Sequence, residues 1–117
     1  HTEYSLLDGI TRVSELPAKI KTHNMPAVAI TDHGTLAGAL KFYKACKKVG
    51  IKPIIGCDFD GYILYAKNKA GWIDLIRYVS NQSLDTLKDV AHRGNLICAT
   101  PDSNGFAKLL AYVRNMK

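Results

Sequence analysis

Pro26-Ala-Val-Ala-Ile-Thr31, then Asp32-His33-Gly34, then Thr35 to Val49, then Gly50 and Ile51-Lys-Pro-Ile-Ile-Gly-Cys57 decide the fold. The first run is apolar, short and rich in β-branched residues, so it reads as a buried strand. Thr35 to Val49 carries Leu36, Leu40, Tyr43 and Cys46 or Lys47 at helical spacing, and Gly50 stops it as a left-handed cap. Ile51 to Cys57 is a second apolar run. A strand, a helix and a strand in under 40 residues predict a unit whose two strands lie side by side and parallel.

The same alternation extends both ways. Upstream, Ser14 is placed to cap a helix over Glu15 to Thr22, with Pro17 tolerable in its first turn and Asn24 at its end. Downstream, Tyr62 to Ala66 reads as a strand and Asn68-Lys69-Ala70-Gly71 as a turn. Trp72 to Ser80 reads as a helix with Ile73, Ile76 and Tyr78 or Val79 inward. Ser83 caps a helix over Leu84 to His92, stopped by Gly94, and Leu96 to Ala99 is a fourth strand. After Thr100-Pro-Asp-Ser-Asn-Gly105, a last helix runs from Phe106 to about Asn115. The expectation is an α/β fold: a short, mostly parallel sheet with flanking helices, in one domain over 1–117.

Composition fits that reading. The chain has 117 residues, 47% hydrophobic and 22% charged, which suits one compact core. No apolar run approaches the ~18 residues of a membrane span, and no signal-peptide pattern is visible. Cys46, Cys57 and Cys98 form no CxxC pair, which removes zinc-ribbon and thioredoxin chemistry. They are expected as buried, reduced thiols, consistent with a cytoplasmic setting.

A net charge of +6 favours acidic partners, nucleic acid first among them. Lys41, Lys44 and Lys48 fall on one helix face at i, i+3 and i+7. They form either a phosphate-facing stripe that binds nucleic acid or an ordinary solvated face.

His33, Asp58 and Asp102 each follow an apolar run by one to three residues. In α/β sheets, functional groups collect where strands end. With His1, Asp8 and Asp32 they make an imidazole and carboxylate set suited to zinc, manganese or iron. Such ions neutralise a phosphodiester and activate water against it, which no Ser or Cys nucleophile motif here offers. Plainer roles compete at each position. His33 can be a surface loop histidine, Asp8 before Gly9 a turn residue, and Asp32 and Asp102 helix caps. His23 and His92 lie near helix carboxyl ends and read as structural.

His1-Thr-Glu-Tyr-Ser-Leu-Leu-Asp-Gly9 resembles the opening motif of the PHP (polymerase and histidinol phosphatase) domain family, as found in bacterial replicative polymerases. Ala29-Ile-Thr-Asp-His-Gly34, Phe42-Tyr-Lys-Ala45 and Gly50-Ile-Lys-Pro-Ile-Ile-Gly-Cys57 resemble its next segments in order and spacing. Tyr65-Ala-Lys-Asn68 and Gly94-Asn-Leu-Ile97 are similar to later strands. The likeness is strong over 1–58 and moderate to about 102.

The resemblance implies a distorted (β/α)7 barrel, of which 117 residues supply only part, since a related eight-stranded barrel needs ~200 or more. It implies metal ligands at His1, Asp8, His33 and Asp58, with Asp102 in the place of a family Cys, and a catalytic role for Asp8 and His33. It implies more than one divalent ion if the site is intact. His1 would be the second member of an opening His-x-His pair, with native residues expected upstream. Gly61 stands where a ligand His is usual, and the family's late Asp-x-His pair has no counterpart. Two functions follow. One is a metal-dependent phosphoesterase on nucleic-acid ends or nucleotides, of 3′–5′ exonuclease type. The other is a degenerate module that binds DNA or docks on replication proteins. An oligomer in which copies complete each other is compatible with either.

Overall fold

The computed structural model describes residues 1–100 and 102–114, so Pro101 and the expected helix end at Asn115 lie outside the described residues. In chain order the elements are α1 (Leu16–Thr22), β1 (Ala27–His33), α2 (Ala39–Val49), β2 (Lys52–Asp58) and β3 (Ile63–Ala66), then α3 (Lys69–Ser80), α4 (Leu84–Arg93), β4 (Leu96–Ala99) and α5 (Ser103–Arg114). The strands form one mixed sheet in the order β1-β2-β3-β4.

Only β1 and β2 are parallel; β2–β3 and β3–β4 are antiparallel. This corrects the expectation of a mostly parallel sheet. The reason lies in the connections. One helix, α2, carries the chain back to the starting end of β1, so β2 runs alongside it. Four residues, 59–62, join β2 to β3, too few for a crossover, so the chain must reverse. Asp60 at φ 58° and Gly61 at φ 127° make that reversal. Between β3 and β4 lie two helices instead of one, and the second undoes the return made by the first.

Strand parity places the core. Ile30, Ile55, Cys57 and Leu64 share one face through the register Ile30↔Ile55 and Cys57↔Leu64, and the helices pack there. One cluster gathers Ile30, Phe42, Cys46, Ile51 and Val13; the other gathers Cys57, Leu64, Tyr62, Leu75, Tyr78 and Val90. Ile55 touches both. In the second cluster the Tyr62 and Tyr78 hydroxyls hydrogen-bond at 2.6 Å, so neither phenol is buried unsatisfied. Burial pushes the Cys57 thiol up to about 11, and Cys46 is fully covered. Cys98 departs from expectation: the residue is exposed on edge strand β4, although burial still pushes its thiol up.

Local chemistry explains the other departures. Ser14 does not cap α1, whose N-cap is Glu15 with no side-chain bond. Thr35 turns the chain by accepting from Ala37 N, and α2 starts only at Ala39. Asn68 accepts from Gly71 N at 2.8 Å, so the expected turn is the first turn of α3. The inward stripe of α3 is then Gly71, Asp74, Leu75 and Tyr78, while Ile73 and Ile76 face solvent. Tyr78 is inward as expected, but apolar type misplaced Ile73 and Ile76, because a buried carboxylate takes an inward place. Asp74 accepts from Asn95 at 3.2 Å and pairs with Arg93 at 3.6 Å. Ser83 caps α4 and Gly94 ends it, both as expected.

Candidate metal centre

β1 and β2 pair in register with His33 opposite Asp58, so both side chains leave the same face at the carboxyl ends of adjacent strands. Asp32, one residue earlier, points to the opposite face. It is 1% exposed, and a buried carboxylate needs donors. They come from the opening segment: the Thr2 amide, the Thr2 hydroxyl at 2.7 Å and the Ser5 hydroxyl at 2.9 Å. Ser5 Oγ also accepts from the His33 amide at 3.0 Å. Asp32 therefore straps residues 1–5 onto β1 and caps no helix.

The strap delivers His1 to the strand ends. Its Nε2 lies 2.9 Å from Asp58 Oδ2, and its Nδ1 contacts Asp8 Oδ2. The His1 and His33 rings meet edge to face at 6.0 Å between centroids. One donor atom each from His1, His33 and Asp58 lies within 4.8 Å of the others. Asp58 is fixed from below, since its Oδ1 accepts from Asp60 N at 3.0 Å.

The donor set fits a cation. Two imidazoles and a carboxylate suit zinc, manganese or iron, and bonds of about 2.0–2.2 Å need only modest inward movement of these atoms. Asp8, expected as a ligand, contacts His1 Nδ1 and is not among the three converging donors; from there a carboxylate can orient a ligand imidazole. A cleft of about 890 Å³ opens beside the group, lined by Glu3, Tyr4, Leu6, Leu7, His33 and Thr35.

Asp102 stands outside this group. Its Oδ1 accepts from Gly105 N at 2.7 Å at the start of α5, the capping alternative open from sequence. Gly61 supplies no imidazole, and its backbone explains why glycine sits there. At φ 127° it holds a conformation side chains rarely adopt, and its carbonyl packs against Gly105 so closely that a Cβ on Gly105 would come within 1.9 Å. Gly61→His is expected to cost about 1–3 kcal/mol of stability, read as a lower urea midpoint. An unchanged midpoint would show that the turn accepts a side chain.

The PHP domain family matches residues 1–116. The chain belongs to the PHP domain family. PHP domains are generally metal-dependent, in keeping with the donor group at the strand ends. The chain is 41% identical over 106 residues to the DNA polymerase III subunit alpha of Borreliella burgdorferi, and 41% over 101 residues to that of Campylobacter jejuni. These matches cover 73% and 71% of this chain but only 9% and 8% of the relatives. The same subunit of Chlamydia trachomatis is 50% identical over 58 residues, half of this chain. The chain thus spans less than a tenth of the length of these curated relatives.

The lysines of the expected nucleic-acid stripe are exposed on α2. Lys41 is engaged with the opening segment, 3.6 Å from Glu3 Oε1 and 6.0 Å from the Tyr4 ring centroid. The residue sequence reasoning underrated is Asp32. Parity held the signal: next to a strand-end histidine it must face the core, and Thr2 and Ser5 are hydroxyls able to satisfy it.

Proposed function

We propose that this PHP module is a metal-dependent phosphoesterase acting on nucleic-acid ends or nucleotides in the cytoplasm, within a replication assembly, and that its sheet is part of a larger PHP barrel. The observation that carries this is the meeting of His1, His33 and Asp58 at one end of the parallel pair β1–β2. A bound divalent cation there supplies charge neutralisation at phosphate and activates water. The chain's own part is to hold the donors and shape the approach. Asp8 keeps the His1 ring oriented, Asp32 anchors the segment that carries both, and the cleft admits the ester beside them. Leu6 at 85% and Leu7 at 110% exposure line that cleft and offer apolar surface to a nucleoside more than to inorganic phosphate.

The second reading, a module that keeps the fold without hydrolysis, is favoured by Gly61 and by the use of Asp102 as a cap. The two readings part in one experiment. Protein purified without chelator is expected to carry zinc, manganese or iron by elemental analysis, and to hydrolyse a 3′-labelled oligonucleotide or a nitrophenyl phosphodiester. Metal-free protein that stays inert after Mn²⁺ or Zn²⁺ is added would sink the enzymatic reading and leave the second.

A further inference from the structure

On the helix-bearing face of the sheet, a groove of about 590 Å³ separates α2 from α3. Its walls carry Leu40 and Tyr43 from α2 and Lys69 and Trp72 from α3, with Lys67 at one end and Pro53 on the floor. Pro53 and Asp58 stand at opposite ends of β2, about 16 Å apart at strand rise and on opposite faces by parity. The groove is therefore separate from the donor cluster.

We propose that this groove binds single-stranded nucleic acid, stacking bases on Tyr43 and Trp72 and holding phosphates with Lys47, Lys67 and Lys69. Tyr43 is 45% exposed, although an aromatic ring normally seeks cover. Lys47 Nζ lies over that ring, 5.5 Å from its centroid, so a cation already stands against the aromatic surface. No carboxylate is among the described lining residues, and neither Lys47 nor Lys69 enters an ion pair among the described residues. Lys67 spends one N–H on Gly94 O at 3.1 Å and keeps two. The amino end of α3 at Asn68 adds positive potential, with no acid in its first turn.

Charge complementarity thus selects a polyanion. Two aromatic rings over an apolar floor select one with free planar faces, which a single strand has and a duplex keeps within its own stack. An acidic peptide would use the lysines and leave the rings idle. The basic surface suspected from sequence is thereby moved around α2, from the 41/44/48 side to the 40/43/47 side.

Trp72 is the only tryptophan, so its emission reports on the groove alone. A short oligothymidylate added at low salt is expected to quench it. Tyr43→Ala should weaken binding roughly 5- to 100-fold while Tyr43→Phe keeps it. Lys47→Glu with Lys69→Glu should weaken it further and flatten the plot of log affinity against log salt by about 1.4, two phosphates' worth. Circular dichroism confirms that each variant is folded. Absence of quenching in the parent chain overturns the proposal. So does equal or tighter binding of a duplex or of polyglutamate, or a greater loss from Lys44→Glu with Lys48→Glu than from the groove pair.

Discussion

Asp32→Ala is expected to lower stability by about 3–5 kcal/mol and to reduce metal affinity at least ~100-fold, although Asp32 is not among the three donors. The stability term follows from what the carboxylate does. It accepts three hydrogen bonds in a site 1% exposed, and hydrogen bonds to a charged group contribute about 1.5–3 kcal/mol each before relaxation. Without it the Thr2 amide, the Thr2 hydroxyl and the Ser5 hydroxyl lose their acceptor together. The affinity term follows from position. His1 rides on the strap that Asp32 holds, and Ser5 also bonds the His33 amide, so both imidazoles lose their support. Asp32→Asn keeps one acceptor oxygen but turns an NH₂ toward donors, and should fall between. Urea denaturation and titration calorimetry with Mn²⁺ or Zn²⁺ measure the two effects. Parental values of both for Asp32→Ala would remove the strap from the account.

The parts of this fold readable in the sequence are those set by neighbours along the chain. Gly50 and Gly94 end helices at φ 75° and 69°, Ser83 caps α4, and Leu96–Ala99 is a strand, because each depends on a few adjacent residues. Strand direction is different. Ile63–Ala66 looks the same whether it runs with or against β2; only the four-residue link decides, and its consequence appears across the sheet. The expected inward place of Ile73 and Ile76 on α3 failed for a related reason. Asp74 is buried because Arg93 and Asn95, some twenty residues later, come to meet it, and hydrophobic periodicity has no means to anticipate such a partner. At the candidate centre, strand ends already pointed to His33 and Asp58, but they pointed equally to Asp102, whose side chain instead accepts from Gly105 N at the start of α5. The approach of His1 came from the family resemblance, since nothing local ties residue 1 to residue 58. The capping alternative for Asp32 rested on a helix start four residues too early, because the loop after β1 is longer than the apolar spacing of 36, 40 and 43 suggests.

His33→Ala should separate the centre from the scaffold more cleanly than any other substitution. The side chain is exposed, and its ring makes no hydrogen bond among the described residues, so folding stability should change by no more than about 0.5 kcal/mol. His33 is one of three donors that converge, and even outer partners of such groups are worth about 10–100-fold in metal affinity, so its loss should cost more than 100-fold. Asp8→Ala provides the contrast. Asp8 touches His1 Nδ1, while Nε2 faces Asp58, so its removal should free the ring to turn without deleting one of the three converging donors. It should cost about 10–100-fold. Hydrolysis of a phosphodiester should follow the same order, with excess metal rescuing Asp8→Ala in part and His33→Ala hardly at all. If Asp8→Ala proves the more damaging and metal does not rescue it, then Asp8 is itself a ligand and the centre is wider than the triad. If neither variant changes affinity or rate, the cations bind elsewhere on the chain.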